Sequence, residues 1–311
     1  MLKYKKSMEG IIMKDNTIAY SYPFNTKILS DIFENQYSSK LLKVFKEFDM
    51  LDSMHKDMTV KEFFENAYKK LLNNYRNEYV FKNAIAQKIL IGRHSVKTSL
   101  LLTEFRVESS KADIVIFNGT SHAYEIKTEL DNIERLEKQI KDYKKAFEYV
   151  NIVSVESKIN EIVNLIDDTV GIIILTKQYT FKTIRKAKSG LKFLDKEALF
   201  NILRKNEYLK IIQKYYKATP DVPNTKINFA CKSLFKQLSI EDIHREVLKT
   251  LKDRNSHKNL TNKIKEFPNS LKIAVLEANL SIEKQNTFLE LLNQNINAIF
   301  KSKDSYVSPI F

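Results

Sequence analysis

The stretch Ala112–Thr128, ADIVIFNGTSHAYEIKT, sets how this 311-residue chain folds. Asp113 opens an apolar run from Ile114 to Phe117 that reads as a strand. Asn118-Gly119 follows, a two-residue turn signal between extended segments. His122–Thr128 then reads as the next strand. Side chains alternate along a strand, so Glu125 and Lys127 share one face and Ile126 takes the other. A hairpin closed at Asn118-Gly119 brings Asp113 near Glu125.

Ser99–Val107 (SLLLTEFRV) predicts the strand before this pair. A charged helix over about 131–149 and a strand at Asn151–Val155 follow it. Upstream, residues of about 75–91 predict an amphipathic helix with Tyr79, Ile85, Ile89 and Leu90 inward, ended by Gly92. Residues 25–72 read as helices, one opened by the capping box Thr59-Val60-Lys61-Glu62. Downstream come a short helix at 159–166, a buried strand at Gly171–Leu175 and a hairpin return at Tyr179–Ala187. A long helix over 195–216 stops before Pro220. Thr219–Lys226 reads as a linker, and helices dominate beyond it, one opened at Ser239 with Asp242 three residues on. The expectation is an α/β sandwich. A helical N-terminal extension occupies 1–74, the core 75–216, a linker 217–226 and a helical C-terminal region 227–311.

The composition narrows the class. A hydrophobic share of 43% is enough to bury a core, and only five glycines and five prolines argue against long disordered linkers. The net charge of +14 favours a polyanionic partner. The single cysteine, Cys231, excludes a disulfide framework within the chain and any cysteine-based zinc or iron–sulfur site, and reads as a small buried hydrophobe. The start, Met1-Leu2-Lys3-Tyr4-Lys5-Lys6, lacks the apolar run of a signal peptide, and no segment reaches the roughly 18 apolar residues of a membrane span. The expected location is cytoplasmic, without membrane attachment.

The chemistry-bearing residues cluster on the same stretch, 112–128. Two carboxylates, Asp113 and Glu125, suit Mg²⁺ or Mn²⁺, which prefer oxygen ligands. The Ile126 carbonyl is a further candidate ligand. A lysine beside such an ion, Lys127, can hold an attacking water and offset growing negative charge on a phosphate. Taken alone, an acid-x-lysine pair on a strand is usually an exposed cross-strand charge pair. Its setting inside apolar strands argues against that, because an unpaired charge there is costly. On the following helix Gln139 and Tyr143 lie four apart on one face, with Arg135 a turn earlier. A tyrosine capping the core and a solvated glutamine would give the same spacing.

Together, Asp113, Glu125-Ile126-Lys127 and Gln139-x-x-x-Tyr143 resemble the PD-(D/E)XK nuclease superfamily, in its RecB-like branch. Tyr124-Glu125-Ile126-Lys127 with Leu130-Asp131 and Arg135-Leu136-x-x-Gln139 resembles a family of small bacterial and phage proteins in it. The resemblance covers about 75–205. It implies a restriction-endonuclease-like α-β-β-β-α-β core and a Mg²⁺- or Mn²⁺-dependent deoxyribonuclease, with phage defence or mobile-element biology as the setting. Asp113 and Glu125 would bind metal, Lys127 would be the catalytic lysine, and Gln139 and Tyr143 would position the site and the DNA. The superfamily often adds a glutamate from the preceding helix; Glu78 is the preferred candidate and Glu104 its competitor. The superfamily's proline before the aspartate is Ala112 here. No Gly-rich phosphate loop of a motor ATPase occurs.

Arg135, Lys182, Arg185 and Lys186 are candidate nucleic-acid contacts, the last three on the basic run Lys182–Lys192, which fits a solvated hairpin equally well. DNA is the expected partner ahead of RNA, with the helical extensions docking substrate, a second copy or another protein. His94 follows Gly92-Arg93 and reads as a loop residue. His55, His122, His244 and His257 show no ligand spacing, and Asp167-Asp168 reads as a turn or cap. Two further readings stand beside the enzyme: a catalytically silent nucleic-acid-binding module, and a nuclease-like scaffold for protein interaction.

Overall fold

The meander read from Ala112–Thr128 forms one half of a six-stranded sheet in the order β1-β2-β3-β4-β5-β6. The computed structural model describes residues 16–51, 54–92, 98–254, 260 and 263–304. Strands β1 (Leu100–Val107), β2 (Ser110–Phe117) and β3 (Ser121–Lys127) run antiparallel. β4 (Tyr149–Ser154) joins β3 in parallel, β5 (Gly171–Leu175) joins β4 in parallel, and β6 (Phe181–Arg185) returns antiparallel as an edge.

The connection at Asn118 holds three residues rather than two. Phe117 pairs with Ser121, Gly119 takes φ +109°, and the Asn118 carboxamide oxygen accepts from the Thr120 hydroxyl. Gly119 is the residue that permits that backbone angle.

Helices cover both faces of the sheet. On one face lie α2 (Thr26–Asn35), α3 (Ser39–Glu47), α4 (Val60–Asn74) and α5 (Glu78–Ile85), preceded by the short α1 (Asn16–Ala19). On the other lie α6 (Leu136–Lys144), α7 (Ile159–Leu165), α8 (Lys196–Asn201), α9 (Lys205–Tyr216), α10 (Asn224–Phe235) and α11 (Ile240–Asp253). The chain then recrosses, and α12 (Lys272–Ala278), α13 (Ile282–Leu292) and α14 (Ile296–Asp304) rejoin the first face. Ile114, Ile116, Tyr124 and Ile126 point into the first core with Phe64, Phe81, Val275 and Phe288. Val115, Phe117, Ala123 and Ile152 point into the second with Ile140, Phe147, Phe200 and Phe235. This is the alternation expected of a sheet buried on both sides.

Helices α1–α5 and α12–α14 therefore share one core. Thr59 bridges Asn295, the Val60 amide donates to Gln294 O at 3.0 Å, and the Ile296 amide donates to Met58 O at 2.9 Å. The expected linker 217–226 is shorter than read, because α10 already starts at Asn224 behind Pro223, and α9 and α10 sit together in the second core.

Several local expectations shift. The helix expected over 131–149 spans only Leu136–Lys144. Asp131 first caps the Thr128 amide (2.7 Å), and Asn132 turns the chain by accepting from the Glu134 amide (2.7 Å). The helix expected over 195–216 breaks in two at Ile202–Arg204, where Glu207 Oε2 reaches back to accept from the Arg204 amide at 2.6 Å. The helix expected from about 75 starts at Glu78, capped by Asn77, and continues from α5 as a π-helical turn, Ala86–Ile91. Gly92 is right-handed, with φ −80°, so it does not end the helix by a left-handed cap. The capping box at Thr59–Glu62 forms, and Ser239 caps α11 by accepting from the Asp242 amide. Asp167 makes the expected turn, accepting from the Thr169 amide at 3.0 Å, and Cys231 is buried in the second core. Arg93, His94 and His257 lie outside the described residues. Among those described, no helix is long and apolar enough to cross a membrane.

Candidate active site

Glu125 and Lys127 face α6 because they alternate with Tyr124 and Ile126, which fill the opposite core. Both are buried, at 1% and 8% exposure, and charges so placed persist only when paired. The Lys127 ammonium donates to Glu125 Oε1 at 2.7 Å and to Gln139 Oε1 at 3.1 Å. The Tyr143 hydroxyl lies 2.7 Å from Glu125 Oε2 and 2.8 Å from Lys111 O. Gln139 and Tyr143, one turn apart on α6, thus grip the Glu125–Lys127 pair from both ends. Ser154 on β4 adds a clamp, its hydroxyl donating to Lys127 O at 2.6 Å. Desolvation and the Glu125 charge hold the Tyr143 phenol far above its usual range, so it stays a donor.

Asp113 lies one residue beyond the last paired position of β2 with β3. Its Oδ2 accepts from the Ile126 amide at 2.6 Å, so Ile126 meets Asp113 through its N–H rather than its carbonyl. Desolvation, then the negative charge of Glu125, pushes the Asp113 carboxyl up to about 8, with the Ile126 amide acting against it. A buried carboxyl raised by a neighbouring negative charge is stabilised by a nearby cation.

The competing third acids, Glu78 and Glu104, both reach Asp113. Carboxylate oxygens of Glu78, Glu104 and Asp113 lie within 4.8 Å of one another. Glu78 arrives from the first turn of α5. Glu104 arrives by register: Thr103 pairs with Ile114 and Phe105 with Ala112, so Glu104 stands opposite Asp113. It does so at φ +53°, a left-handed conformation that costs a non-glycine residue of order 1 kcal/mol or more. Strand phase turns over here, since Leu100 and then Phe105 and Val107 all enter the second core.

Lys82, one turn after Glu78 on α5, bridges this cluster, with Nζ 2.6 Å from Glu78 Oε1 and in contact with Glu104. Spacing on α5 could have flagged Lys82. The pairing of Glu104 with Asp113 needed the sheet register.

The grouped carboxylates Glu78, Glu104 and Asp113 are oxygen ligands of the kind that suits a hard divalent ion such as Mg²⁺ or Mn²⁺, whereas the Glu125 oxygens, near enough to repel Asp113, are taken by Lys127 and Tyr143. A cleft of about 350 Å³ lined by Lys127, Asn132, Glu134, Arg135 and Gln139 opens beside the lysine. A second, of about 360 Å³, includes Tyr22, Asn77, Glu78, Lys82 and Glu277.

The basic residues on and just after β6 separate. Lys182 and Lys186 are exposed. Arg185 spends its guanidinium on the backbone, donating to Val170 O at 2.7 Å and Asp167 O at 2.9 Å.

Protein cII of Enterobacteria phage P4 is 28% identical over 162 residues, which are 51% of this chain and 52% of that protein. The chain thus spans about half the length of this curated relative. No solved structure matches the chain significantly. The sequence model of the family described as bacteriophage P4 protein cII matches residues 71–275, a span that contains every site residue from Glu78 to Tyr143. The chain belongs to the bacteriophage P4 protein cII family.

Proposed function

We propose that the protein is a metal-dependent nuclease that hydrolyses DNA phosphodiester bonds, built on a restriction-endonuclease-like core of the PD-(D/E)XK type. One observation carries this reading: Asp113, Glu125 and Lys127 converge from two strands, and Gln139 and Tyr143 of α6 hold the last two in place. An isolated cross-strand charge pair needs neither a second carboxylate nor two helix residues to aim it.

Asp113 and Glu125 would hold the ion, with Glu78 or Glu104 as a third acid. Bound there, Mg²⁺ or Mn²⁺ supplies positive charge to the phosphate and acidifies a water. The chain's own groups do the rest. Lys127 commits two of its three N–H donors to Glu125 and Gln139, leaving the third for the attacking water or a phosphate oxygen. Tyr143 fixes the Glu125 carboxylate. Arg135, which lines the cleft beside Lys127, would contact the substrate backbone. The net charge of +14 suits a polyanion. The phage source of the relative suits a role in mobile-element biology or phage defence.

A second reading has its own support. Both Glu125 oxygens already have partners, Lys127 and Tyr143, as in a closed structural network of a silent nucleic-acid-binding or protein-interaction module.

The test uses linear, circular and single-stranded DNA, and RNA, each with Mg²⁺, Mn²⁺ or EDTA. Metal-dependent DNA cleavage that disappears in Asp113→Asn and Lys127→Met is the expected result. Cleavage surviving both substitutions overturns the assigned site. Binding without cleavage of any substrate favours the silent module.

A further inference from the structure

The acidic cluster already contains a cation. Lys82 reaches in from α5 with its side chain only 13% exposed, contacting Glu78 and Glu104 at once. Those two carboxylates, with Asp113, form the oxygen set that a divalent ion would use. An ammonium that has given up most of its water keeps its place only through such partners. Lys111 also touches Glu104, through the other oxygen and with its side chain 51% exposed, so it meets the same acid from the solvent side.

Resting on the metal-centre reading above, we propose that Lys82 is an internal counter-cation that competes with the divalent ion for Glu78 and Glu104. Metal loading is then an exchange of cations. It proceeds when the ammonium swings away, and the bare acid set would bind metal more tightly than the wild-type protein does. Glu277 on α12 lines the same cleft as Glu78 and Lys82 and offers the displaced ammonium another carboxylate. A purely structural ion pair makes the opposite forecast: its loss loosens α5 and leaves metal affinity unchanged or weaker.

The experiment titrates Mn²⁺ by electron paramagnetic resonance into wild type, Lys82→Met, Lys82→Gln, Lys111→Met and Asp113→Asn. Thermal melts in EDTA and in Mn²⁺ run alongside. Removing a charge at contact distance should tighten Mn²⁺ binding by at least about tenfold in both Lys82 variants. Lys111→Met, stripping an exposed charge, should change it by less than about threefold. The Lys82 variants should melt lower in EDTA and gain more from Mn²⁺ than wild type. Mn²⁺ affinity in both Lys82 variants equal to or weaker than wild type, or equal tightening in Lys111→Met, overturns the exchange. If Asp113→Asn abolishes binding while Lys82→Met matches wild type, only the role of Lys82 falls. If no protein binds Mn²⁺, or Asp113→Asn binds as well as wild type, the metal centre falls with it.

Discussion

The Tyr143 hydroxyl sits 2.7 Å from Glu125 Oε2, while the opposite oxygen of that carboxylate takes the Lys127 ammonium. One helix residue thereby sets the orientation of a buried acid on a neighbouring strand. Tyr143→Phe keeps the ring in the second core and deletes only this donor. A buried acceptor left unmet costs about 1–3 kcal/mol, which a urea melt would read. If Glu125 holds a metal, cleavage should fall roughly 10- to 100-fold, as happens when a group that orients a metal ligand is removed. Unchanged stability would mean that water replaces the hydroxyl.

Lys127 gives a sharper contrast. Lys127→Met leaves Glu125 buried beside no cation, and breaking a buried pair costs about 3–5 kcal/mol. Mn²⁺ should return part of that loss, because the ion supplies the missing charge. Cleavage should stay at least about 10²-fold down even in Mn²⁺, since the donor to the water or phosphate is gone. Thermal melts with and without Mn²⁺, run beside a cleavage assay, separate the two effects. Full recovery of cleavage by Mn²⁺ would remove Lys127 from the chemistry.

The parts of this arrangement that were legible in the sequence are those set by local periodicity. Two-residue alternation put Glu125 and Lys127 on one face, and four-residue spacing put Gln139 and Tyr143 on one helix side. The parts that were not legible depend on distant pairing or on backbone angle. Glu104 meets Asp113 through the strand register, at a left-handed φ that no propensity favours for glutamate. Glu277 arrives from a helix about 150 residues downstream of those strands in the chain. The core shared by α1–α5 and α12–α14 brings Thr59 against Asn295, a contact without a local signal. The break before α9 is local chemistry that the apolar period masked: Glu207 caps the Arg204 amide, where an uninterrupted amphipathic stripe suggested one helix.

Asp113 carries a pH signature. Its folded value is raised to about 8 against an ordinary value of 3.8, so between these the folded state holds a proton that the unfolded chain releases. Bound protons are then more numerous in the folded form, and stability from this group falls as pH rises from about 4 to about 8. Asp113→Asn keeps an oxygen for the Ile126 amide and removes the titration. Without metal, the variant should melt higher than wild type at pH 8, and the gap should close toward pH 4. Mn²⁺ should raise the wild-type melting temperature at pH 8 and leave the variant unmoved. A variant that melts lower than wild type at pH 8 would sink this account.

The basic β6 edge separates binding from folding. Lys182 and Lys186 are exposed, and the only partner near Lys182 among the described residues, Glu156, stands 4.0 Å away on the open surface, so both ammonium groups can reach a phosphate. Lys182→Ala and Lys186→Ala, each deleting one such charge, should weaken DNA binding and reduce the slope of log affinity against log salt by about 0.9 on duplex DNA. Neither change should move stability by more than about 0.5 kcal/mol. Arg185 should behave in the reverse way. Its guanidinium bonds the carbonyls of Val170 and Asp167, tying the edge strand to the turn before β5. Arg185→Ala should therefore cost about 1–2 kcal/mol of stability by the loss of two charge-assisted bonds, with little change in salt slope. Fluorescence anisotropy with a labelled duplex across a salt series, beside a denaturant melt, measures both quantities on the same preparations. A salt slope that falls equally in all three variants would place Arg185 on the DNA, and its backbone bonds would then have to open when DNA binds.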